Sequence, residues 1–337
     1  MTLFSLKDIA LKIGVSTTAV SKVLNRAPIR ISEEKRRLIL KAARECNYRP
    51  NLIARSLKMK KAGAIGVVVP DMSTLFYPEL IRLLEMALFA RGYQTLICNS
   101  RDDVPCEKEH LETLRSRFID ALVIAPAGNG ANAPLLRRIH ESGTPVLCVD
   151  RYLPGAPFDY VMTDGCSAAR RGAGWLVKSG VKHIFYLGER RRQAALDDRL
   201  AGVRDAVKLP AARVIFSAPE RGEVYKKCLS VLRRMPAQSG LFFESNRFLP
   251  GFLDAARAAG KTIPNDVRVI GFDPPVMVIN NAADFAAWRM LAEPLPVIRQ
   301  DVNALAAKAA EYLALKLANP SVRLSPARLS AELCLQE

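Results

Sequence analysis

The 337-residue sequence lacks the features of a secreted, membrane-spanning or metal-binding protein. Its seven cysteines are scattered and form no CxxC pair, so we expect reduced thiols and neither a disulfide framework nor a zinc site. The N-terminal sequence MTLFSLKDIA has no basic region followed by a long apolar run. No stretch approaches the ~18 apolar residues of a membrane span. We therefore expect a cytoplasmic protein without a membrane partner, a metal or a cofactor.

Motifs of common enzyme classes are also missing. No HExxH, GxSxG, P-loop or GxGxxG pattern occurs, and GAGWLVKSG lacks the glycine spacing of the last of these. The three histidines, His110, His140 and His183, lie far apart in the sequence. An enzyme is therefore the weaker hypothesis. The alternative to a DNA-binding protein is a cytosolic sugar-binding α/β protein or enzyme without a role at DNA.

Positive charge is concentrated near the N-terminus. Residues 1–61 hold 15 Lys and Arg against 4 Asp and Glu, a net charge of +11 out of +17 for the whole chain. A small basic segment before a nearly balanced body predicts contact with a polyanion. A solvated N-terminal segment could carry the same charge, but it would not show the hydrophobic pattern found here.

Apolar residues recur at helical spacing three times in this basic segment. The first predicted helix has a capping box at Ser5 and Asp8 and ends at Gly14. The second begins after Ser16 and the third after Ser32. The predicted inner positions are Leu6, Ile9, Ala10, Ile13, Val20, Val23, Leu24, Leu38, Ile39, Ala42 and Ala43. Three short helices with a tight glycine turn predict a helix-turn-helix unit.

The second of these helices carries the groups of a DNA-reading surface. Thr17, Thr18, Ser21 and Lys22 share the face opposite to its apolar positions. Hydroxyl groups bond phosphates or base edges, the threonine methyl contacts thymine, and lysine reaches the acceptors of guanine. A polar face in plain solvent is the alternative for such a pattern alone, and the +11 charge favours DNA.

A short basic segment, YRPNLIARSLKMKK at residues 48–61, follows the three helices. Pro50 and Asn51 end the preceding helix and can start another, barely two turns long, with Leu57 on its apolar face. So short a helix is marginal alone because helix nucleation is costly. Leu57 could act as a wedge in a minor groove, and the alternative is a linker leucine that packs on the body.

Beyond residue 61, apolar strand-like segments alternate with amphipathic helical ones. Strands are predicted at 64–70, 93–100, 120–127, 144–150, 183–189, 240–246 and 267–273, and helices at 78–91, 134–142, 166–179, 198–207, 223–234 and 248–259. This order predicts parallel sheets covered on both faces, with ligands beyond the carboxyl ends of the strands. Polar groups stand at five of these ends, namely Asp71, Asn99, Asp150, Asn246 and Asp273. Each alone is ordinary turn chemistry, but five suggest a cleft.

The order SLKDIALKIGVSTTAVSKVLN, then ISEEKRRLILKAARECNYRPNLIARSLK, closely resembles the DNA-binding headpiece and hinge of the lactose-repressor (LacI/GalR) family. The landmarks IGVVVPD, NSRDD, PVLCVDR, RLAG, IPNDVRVIGFD and IRQD extend the resemblance through the body. It implies an all-α helix-turn-helix domain at 1–47, a hinge helix at 48–61, and an effector-binding and dimerisation domain at 62–337. The last would be an α/β core of periplasmic-binding-protein type with two Rossmann-like lobes. These lobes would comprise about 62–162 plus 291–320 and about 163–290 plus 321–337, joined by crossovers near 162, 290 and 320.

In that family the second helix enters the major groove, and paired hinge helices fold in the minor groove of a palindromic operator. The resemblance implies base reading by Thr17, Thr18 and Lys22 and intercalation by Leu57. The candidates for phosphate and further DNA contacts are Ser5, Ser16, Ser21, Asn25, Asn51 and Arg55. The position of Lys22 is more often arginine in the family, and lysine loses the bidentate fork.

The resemblance also implies an effector between the lobes. Arg199 matches the family's pocket arginine, and Asp273 matches the aspartate that commonly accepts sugar hydroxyls. The other pocket candidates are Thr74, Phe76, Tyr77, Asp150, Asn246 and Arg247. An aromatic side chain there could stack on a sugar ring. As alternatives, Arg199 could be a surface charge, Phe76 a core residue and Asp273 a turn cap.

Two departures from the family pattern concern the pocket. Asn246-Arg247 stands where Asn-Asp is typical, and ERRRQ places Arg190, Arg191 and Arg192 after a strand. A pocket with extra arginines and one fewer carboxylate would favour an anion, such as a sugar acid or a sugar phosphate. The alternative is that these arginines are solvated at the rim.

Together these features predict a homodimeric transcription factor, a repressor of carbohydrate uptake or catabolism. Its expected partners are double-stranded operator DNA, a sugar-like effector and a second copy of the chain. Effector binding would change the angle between the lobes and so the spacing of the two hinge segments.

Overall fold

A computed structural model describes residues 5–24, 27–46, 48, 62–128, 130–190, 193–274 and 295–335. The chain divides into two compact units, one ending at Ala62 and the other beginning at Gly63. Among the described residues, the first unit is helical and the second contains two sheets of mostly parallel strands.

The described residues of the first unit form three helices, α1 (Leu6–Ile13), α2 (Thr17–Leu24) and α3 (Glu33–Glu45). Their shared core consists of Ile9, Ala10, Val20, Val23, Ile39, Ala42 and Ala43. The prediction for Leu38 was wrong, because its side chain is 39% exposed. Leu38 precedes the fully buried Ile39 by one position, so it points about a quarter turn away from the core.

Local chemistry fixes the ends of these helices as predicted. Ser5 and Asp8 form the capping box of α1, and Ser32 caps α3 by accepting a hydrogen bond from Lys35 N. Gly14 follows α1 with φ 70° and ψ 41°, a left-handed conformation that glycine adopts at little cost. The glycine turn therefore ends α1 and allows α2 to begin after only three residues.

The first sheet of the second unit has six parallel strands in the order β11-β5-β4-β3-β1-β2. They are β1 (Ala64–Val69), β2 (Gln94–Asn99), β3 (Ala121–Ile124), β4 (Val146–Val149), β5 (Asp159–Thr163) and β11 (Ala327–Leu329). Its helices are α4 (Phe76–Phe89), α5 (Val104–Ser116), α6 (Ala133–Glu141) and α11 (Val302–Ala318). One apolar cluster joins the sheet to α4 and α11, and another joins the opposite face to α5 and α6.

The second sheet repeats this arrangement with the order β12-β10-β9-β8-β6-β7, and β12 is the one antiparallel strand among those described. Its strands are β6 (His183–Glu189), β7 (Val214–Ser217), β8 (Ser239–Phe243), β9 (Val267–Phe272), β10 (Val297–Arg299) and β12 (Glu332–Cys334). Its helices are α7 (Gly165–Lys178), α8 (Ala194–Ala206), α9 (Arg221–Leu232) and α10 (Leu249–Ala258). Each face again has its own apolar cluster, which confirms the predicted parallel sheets covered on both faces. We call the two halves the first and second lobes.

The described strands and helices show three chain connections between the lobes, and two of them differ from the prediction. The first lies at Asp164, between β5 and α7, close to the predicted residue 162. The second lies at Gln300–Asp301 rather than near 290, because β10 still belongs to the second sheet. The third lies at Ser330–Ala331 rather than near 320, because β11 pairs with β5 of the first sheet.

Candidate functional site

The helix α2 presents polar side chains on the face away from the core of the first unit. Ser16 caps this helix, since its Oγ accepts a hydrogen bond from Ala19 N at 3.1 Å. Thr17, Thr18 and Lys22 are exposed, as predicted, and Ser21 is half-buried. The arrangement offers two hydroxyls and one cation to an outside partner, and their contact with DNA stays a prediction.

Ser5, another predicted DNA contact, is engaged in the cap of α1. Its Oγ donates to Asp8 Oδ2 at 2.7 Å, and its backbone N donates to the same oxygen at 2.8 Å. Both hydrogen bonds stabilise the charged carboxylate and hold the pKa of Asp8 below its usual value. The backbone hydrogen bond has the larger effect. The remaining predicted DNA contacts, Asn25, Asn51, Arg55 and Leu57, lie outside the described residues.

The second unit contains a cavity of about 90 Å³ between the carboxyl ends of its two sheets. Seven of the eight predicted effector residues line it: Thr74, Phe76, Tyr77, Asp150, Arg199, Arg247 and Asp273. Asn246 does not line this cavity. It is 2% exposed, and its Nδ2 donates to the backbone carbonyl of Asp273 at 2.6 Å. Asn246 therefore positions Asp273 in place of the predicted ligand contact.

On the first lobe, Asp150 is held by a buried tyrosine. Asp150 follows β4 with φ 61°, and its Oδ2 accepts a hydrogen bond from the hydroxyl of Tyr77 at 2.6 Å. Burial raises the pKa of Tyr77 well above its usual value, so the hydroxyl keeps its proton. The ring of Phe76 packs edge-on against Tyr77 with 5.1 Å between centroids. Phe76 thus belongs to the core as well as to the cavity wall.

Arg151, which the sequence did not single out, forms an ion pair on the same wall. Its Nη1 lies 2.7 Å from Asp102 Oδ1 and donates to the Pro126 carbonyl at 3.1 Å. Both charged side chains are largely buried, at 14% and 17% exposure. The positive charge of Arg151 is therefore already compensated within the first lobe.

On the second lobe, Arg199 is a buried residue and not a surface charge. It is 8% exposed, and its Nη1 donates to the backbone carbonyl of Glu244 at 2.7 Å. Its guanidinium lies over the ring of Phe272, 3.9 Å from the centroid. The plane of the guanidinium is therefore fixed from two sides.

Asp273 follows β9 with φ 68° and is 6% exposed. Nε2 of Gln300 donates to both of its carboxylate oxygens, at 2.9 and 3.1 Å. Burial raises the pKa of Asp273 to about 6, although the charge of Arg199 and the Gln300 hydrogen bond oppose this shift. Gln300 was not predicted as a site residue.

Glu244 is a further cavity residue that the sequence analysis missed. It follows β8, next to β6, where the strand order of the second sheet reverses. Its carboxylate accepts hydrogen bonds from Tyr186 Oη at 2.6 Å and from Glu189 N at 2.7 Å. Burial raises the pKa of Glu244 to about 7. The predicted strand 240–246 ran through this residue, and the signal that could have found it is a carboxylate directly after the apolar run GLFF.

The described lining of the cavity has more carboxylates than arginines. The acidic residues are Asp71, Asp150, Glu189, Glu244 and Asp273, and the basic residues are Arg151, Arg199 and Arg247. Arg190 lines a neighbouring cavity, and Arg191 and Arg192 lie outside the described residues. The excess of arginine that supported an anionic ligand is therefore absent from the described wall.

One thiol–imidazole contact occurs away from this cavity, on α5. Cys106 Sγ lies 3.5 Å from His110 Nε2, which is also 3.2 Å from the backbone carbonyl oxygen of Asn99. The carbonyl oxygen is an acceptor, so Nε2 carries the proton and donates it there. A nitrogen that already holds a proton does not take one from Cys106, so the contact secures the end of β2.

Two features are absent from the part of the chain that the structure describes. No group of three or more His, Cys, Asp or Glu side chains there could hold a metal ion. None of the helices described is long and apolar enough to cross a bilayer.

Three family descriptions match the sequence. Residues 5–51 match "Bacterial regulatory proteins, lacI family". Residues 62–211 match "Periplasmic binding proteins and sugar binding domain of LacI family", and residues 173–337 match "Periplasmic binding protein-like domain". The matches cover both units of the chain.

Similar proteins include several repressors. The sucrose operon repressor of Streptococcus mutans is 30% identical over 278 residues, which cover 82% of this chain and 84% of that protein. The ribose operon repressor of Bacillus subtilis is 28% identical over 314 residues, which cover 92% and 90%. The lac repressor dimer bound to operator and the anti-inducer ONPF has a TM-score of 0.81 at 20% identity, covering 99% of this chain and 98% of that one. The CelR–cellobiose complex has a TM-score of 0.71, also at 20% identity, covering 99% of both chains. At such identities the two structures show a shared fold.

Proposed function

Because this chain belongs to the lacI family of bacterial regulatory proteins, we propose that it represses transcription as a homodimer on a pseudo-palindromic operator, under the control of a small, neutral, polyhydroxylated effector. Membership of the family makes the chain a DNA-binding transcriptional regulator and not an enzyme. A basic helix-turn-helix unit and a two-lobed core with an interlobe cavity occur in one chain. This combination is the observation that carries the proposal.

The helix α2 is the proposed reader of the operator. Thr17 and Thr18 lie at its first turn, and Lys22 lies one turn later on the same exposed face. Helix-turn-helix proteins place the N-terminal residues of this helix against base edges in the major groove. Ser16 and Ser21 would contact phosphates from the flanks. The net charge of +11 on residues 1–61 supplies the attraction that is independent of sequence.

We infer a homodimer from the small number of DNA contacts that one helix-turn-helix unit can make. A single three-helix unit reaches only a few base pairs, whereas two units on a symmetric site double both the phosphate and the base contacts. We assign residues 1–47 to the DNA-binding domain and 48–61 to the hinge. Two hinges would meet at the centre of the operator, where Leu57 would enter the minor groove.

The cavity supports a neutral ligand with several hydroxyl groups in place of the anion that the sequence suggested. Carboxylates such as Asp150 and Asp273 accept hydrogen bonds from hydroxyls, and Arg199 donates them. Two of the three arginines in the described wall already form ion pairs. Arg151 pairs with Asp102, and Nη2 of Arg247 lies 3.9 Å from Oδ2 of Asp71. The relatives named for ribose and sucrose operons and the cellobiose complex agree with this class of compound.

The effector would act by joining the two lobes. Asp150 belongs to the first lobe, and Arg199 and Asp273 belong to the second, so a ligand that contacts all three fixes the angle between the lobes. In a dimer that angle sets the distance between the two hinge segments, and short hinge helices form only at a suitable distance. Ligand binding and operator binding are thereby coupled.

Two lysines of the first unit provide a matched test of the DNA-reading surface. Lys22→Ala and Lys41→Ala each remove one exposed positive charge, from α2 and from α3. We expect Lys22→Ala to weaken binding to an operator selected from genomic fragments by roughly tenfold or more, because a base contact is lost. Fluorescence anisotropy would measure this binding. On random-sequence DNA of equal length, both variants should lose a similar, small part of their affinity. Equal losses on the operator would contradict the proposed role of α2.

A further inference from the structure

One arginine of the first lobe forms an ion pair with a carboxylate of the second lobe. Arg328 lies on β11, and its Nη1 is 2.8 Å from Oδ2 of Asp198 on α8. Neither residue is among those described as lining the interlobe cavity. Their side chains are 33% and 23% exposed, so salt and water screen the pair only in part. The ion pair between Arg247 and Asp71, which also joins the lobes, is longer at 3.9 Å.

Two tyrosines of the first lobe hold the guanidinium of Arg328 in place. The rings of Tyr152 and Tyr160 are stacked, with 5.0 Å between their centroids and 30° between their planes. The central carbon of the guanidinium lies 5.0 Å from the centroid of Tyr152 and 5.7 Å from that of Tyr160, within the range of cation–π attraction. Arg328 is therefore positioned within its own lobe, so its ion pair costs less side-chain entropy.

Asp198 is held through both of its carboxylate oxygens. Besides the contact of Oδ2 with Arg328, Oδ1 accepts a longer hydrogen bond, of 3.4 Å, from the hydroxyl of Tyr152. Burial raises the pKa of Tyr152, so this hydroxyl keeps its proton. Both of these partners come from the first lobe, although Asp198 belongs to the second.

The helix that carries Asp198 also forms part of the cavity wall. Ala195, Leu196 and Arg199 of α8 line the cavity, and Arg199 directly follows Asp198 in the sequence. A contact that fixes Asp198 against the first lobe therefore also fixes the position of Arg199 relative to the first-lobe wall.

We propose that Arg328 is a positioning residue, whose ion pair with Asp198 latches α8 to the first lobe and favours the closed arrangement of the two lobes. The latch makes no contact with a ligand, so it acts on effector affinity through the fraction of the protein that is closed. Every sugar that contacts both lobes should therefore gain affinity by the same factor. This effect on sugar binding rests on the proposed function of the cavity, whereas the effect on the lobes does not.

Arg328→Met tests the latch, because methionine keeps an apolar side chain against the tyrosine rings but has neither the charge nor the donors. The probes are neutral aldopentoses, aldohexoses and disaccharides, and calorimetry gives the Kd of each sugar that binds. We expect every such Kd to rise by one common factor, roughly threefold to tenfold. Small-angle X-ray scattering of the sugar-free protein measures the arrangement of the lobes, and the radius of gyration should be larger in Arg328→Met.

Arg221→Met is the matched control, because it breaks an ion pair of the same kind within one lobe. Arg221 Nε lies 2.6 Å from Asp254 Oδ2, the side chains are 43% and 28% exposed, and both residues belong to the second lobe. We expect this variant to keep the sugar affinities and the radius of gyration of wild type. Thermal unfolding would show that both variants are folded.

A double variant tests whether Arg328 and Asp198 act through the same contact. Asp198→Asn alone should change the Kd and the radius of gyration in the same direction as Arg328→Met. Combining the two substitutions should add little to the effect of either one, because both remove one interaction. Effects that multiply in the double variant would mean that the two residues act independently, which would overturn the latch.

The possible results separate the latch from the proposed function. If wild type binds a neutral sugar and Arg328→Met changes neither its Kd nor the radius of gyration, the latch is wrong and the effector site stands. Equal changes in Arg221→Met and Arg328→Met would also overturn the latch. If wild type binds none of the neutral sugars, the proposed effector class fails, and the scattering of the sugar-free variants alone decides whether the latch is right.

Discussion

At the scale of single residues, burial disfavours the ionised form of one cavity carboxyl group, that of Glu244. Glu244 is 3% exposed and lies among the hydroxyl of Tyr186, the backbone N–H of Glu189 and the guanidinium of Arg199. Two hydrogen bonds and one cation favour the charged form, but the loss of hydration outweighs them. A group with a raised pKa in the folded protein makes stability depend on pH.

Glu244→Gln should reveal this dependence. The pKa of Glu244 is about 7 when folded, against an ordinary value of 4.5. The folded protein therefore binds this proton more tightly than the unfolded protein does. The resulting stabilisation is fully present below the ordinary pKa of 4.5 and is lost as the pH rises through about 7. Relative to wild type, the glutamine variant should gain about 2 kcal/mol in unfolding free energy between pH 5.5 and pH 8.

Chemical denaturation at several pH values would measure this gain. Glu79→Gln is the control, because the side chain of Glu79 is only half-buried, at 37% exposure, and its hydrogen bond with Arg82 lowers its pKa. The control should show little change across the same range. A constant difference between Glu244→Gln and wild type at all pH values would contradict the raised pKa.

The residues of the cavity were predictable to different degrees. Asp150 and Asp273 follow long apolar strands, so their place at the carboxyl edge of a parallel sheet could be inferred. Whether such a side chain faces the cavity depends on the turn after the strand. Asn246 begins a short 3-10 turn that directs it into the core. Gln300 was missed because β10 has only three residues and shows no pattern in the sequence.

At the scale of elements, close packing of α7 and α8 depends on one glycine. A Cβ atom built on Gly202 of α8 would lie inside the van der Waals radius of the Cys166 backbone carbonyl on α7. Backbone atoms cannot move aside as the end of a flexible side chain can, so the helices would have to separate. A Cβ atom built on Gly174, within α7, would meet no such neighbour within 4 Å.

The two glycines give opposite expectations for the same substitution. Gly174→Ala should stabilise the protein by about 0.5–1 kcal/mol, because alanine has the higher helix propensity and meets no neighbour. Gly202→Ala should destabilise it by about 2 kcal/mol or more, because the steric cost exceeds the gain in propensity. Urea unfolding of the two variants measures both effects. A stabilising Gly202→Ala would show that α7 and α8 can separate freely.

Helices and long strands were predictable because their signals are local. The caps at Ser5, Ser16 and Ser32 and the turn at Gly14 are read from the adjacent residues, and the structure confirms them. Five strands of three to five residues were not among the predicted segments, namely β5, β7, β10, β11 and β12. In so short a segment the alternation of side chains is not distinguishable from a loop, and the partner strand decides its conformation.

At the scale of the whole molecule, the two units differ in charge and in architecture. Residues 1–61 carry +11 of the net charge of +17, so attraction to DNA belongs to the N-terminal segment. The parallel sheets and a cleft at their carboxyl ends were predicted from the alternation of strands and helices, whereas the division into two lobes was predicted through resemblance. Two crossovers were placed about ten residues too early, because the short strands β10 and β11 that define them leave no local signal.

Coupling between the cavity and the operator must work equally in both directions. If a neutral sugar changes the affinity for the operator by some factor, the operator changes the affinity for that sugar by the same factor, and such factors are typically about 5–150. We expect operator titrations with and without the sugar, and sugar titrations with and without the operator, to give one common value. Asp273→Asn should weaken sugar binding while operator binding without sugar stays unchanged. A sugar that binds in the cavity without changing the affinity for the operator would show that closure of the lobes does not alter the hinge segments. A ligand that binds two states equally cannot shift their populations.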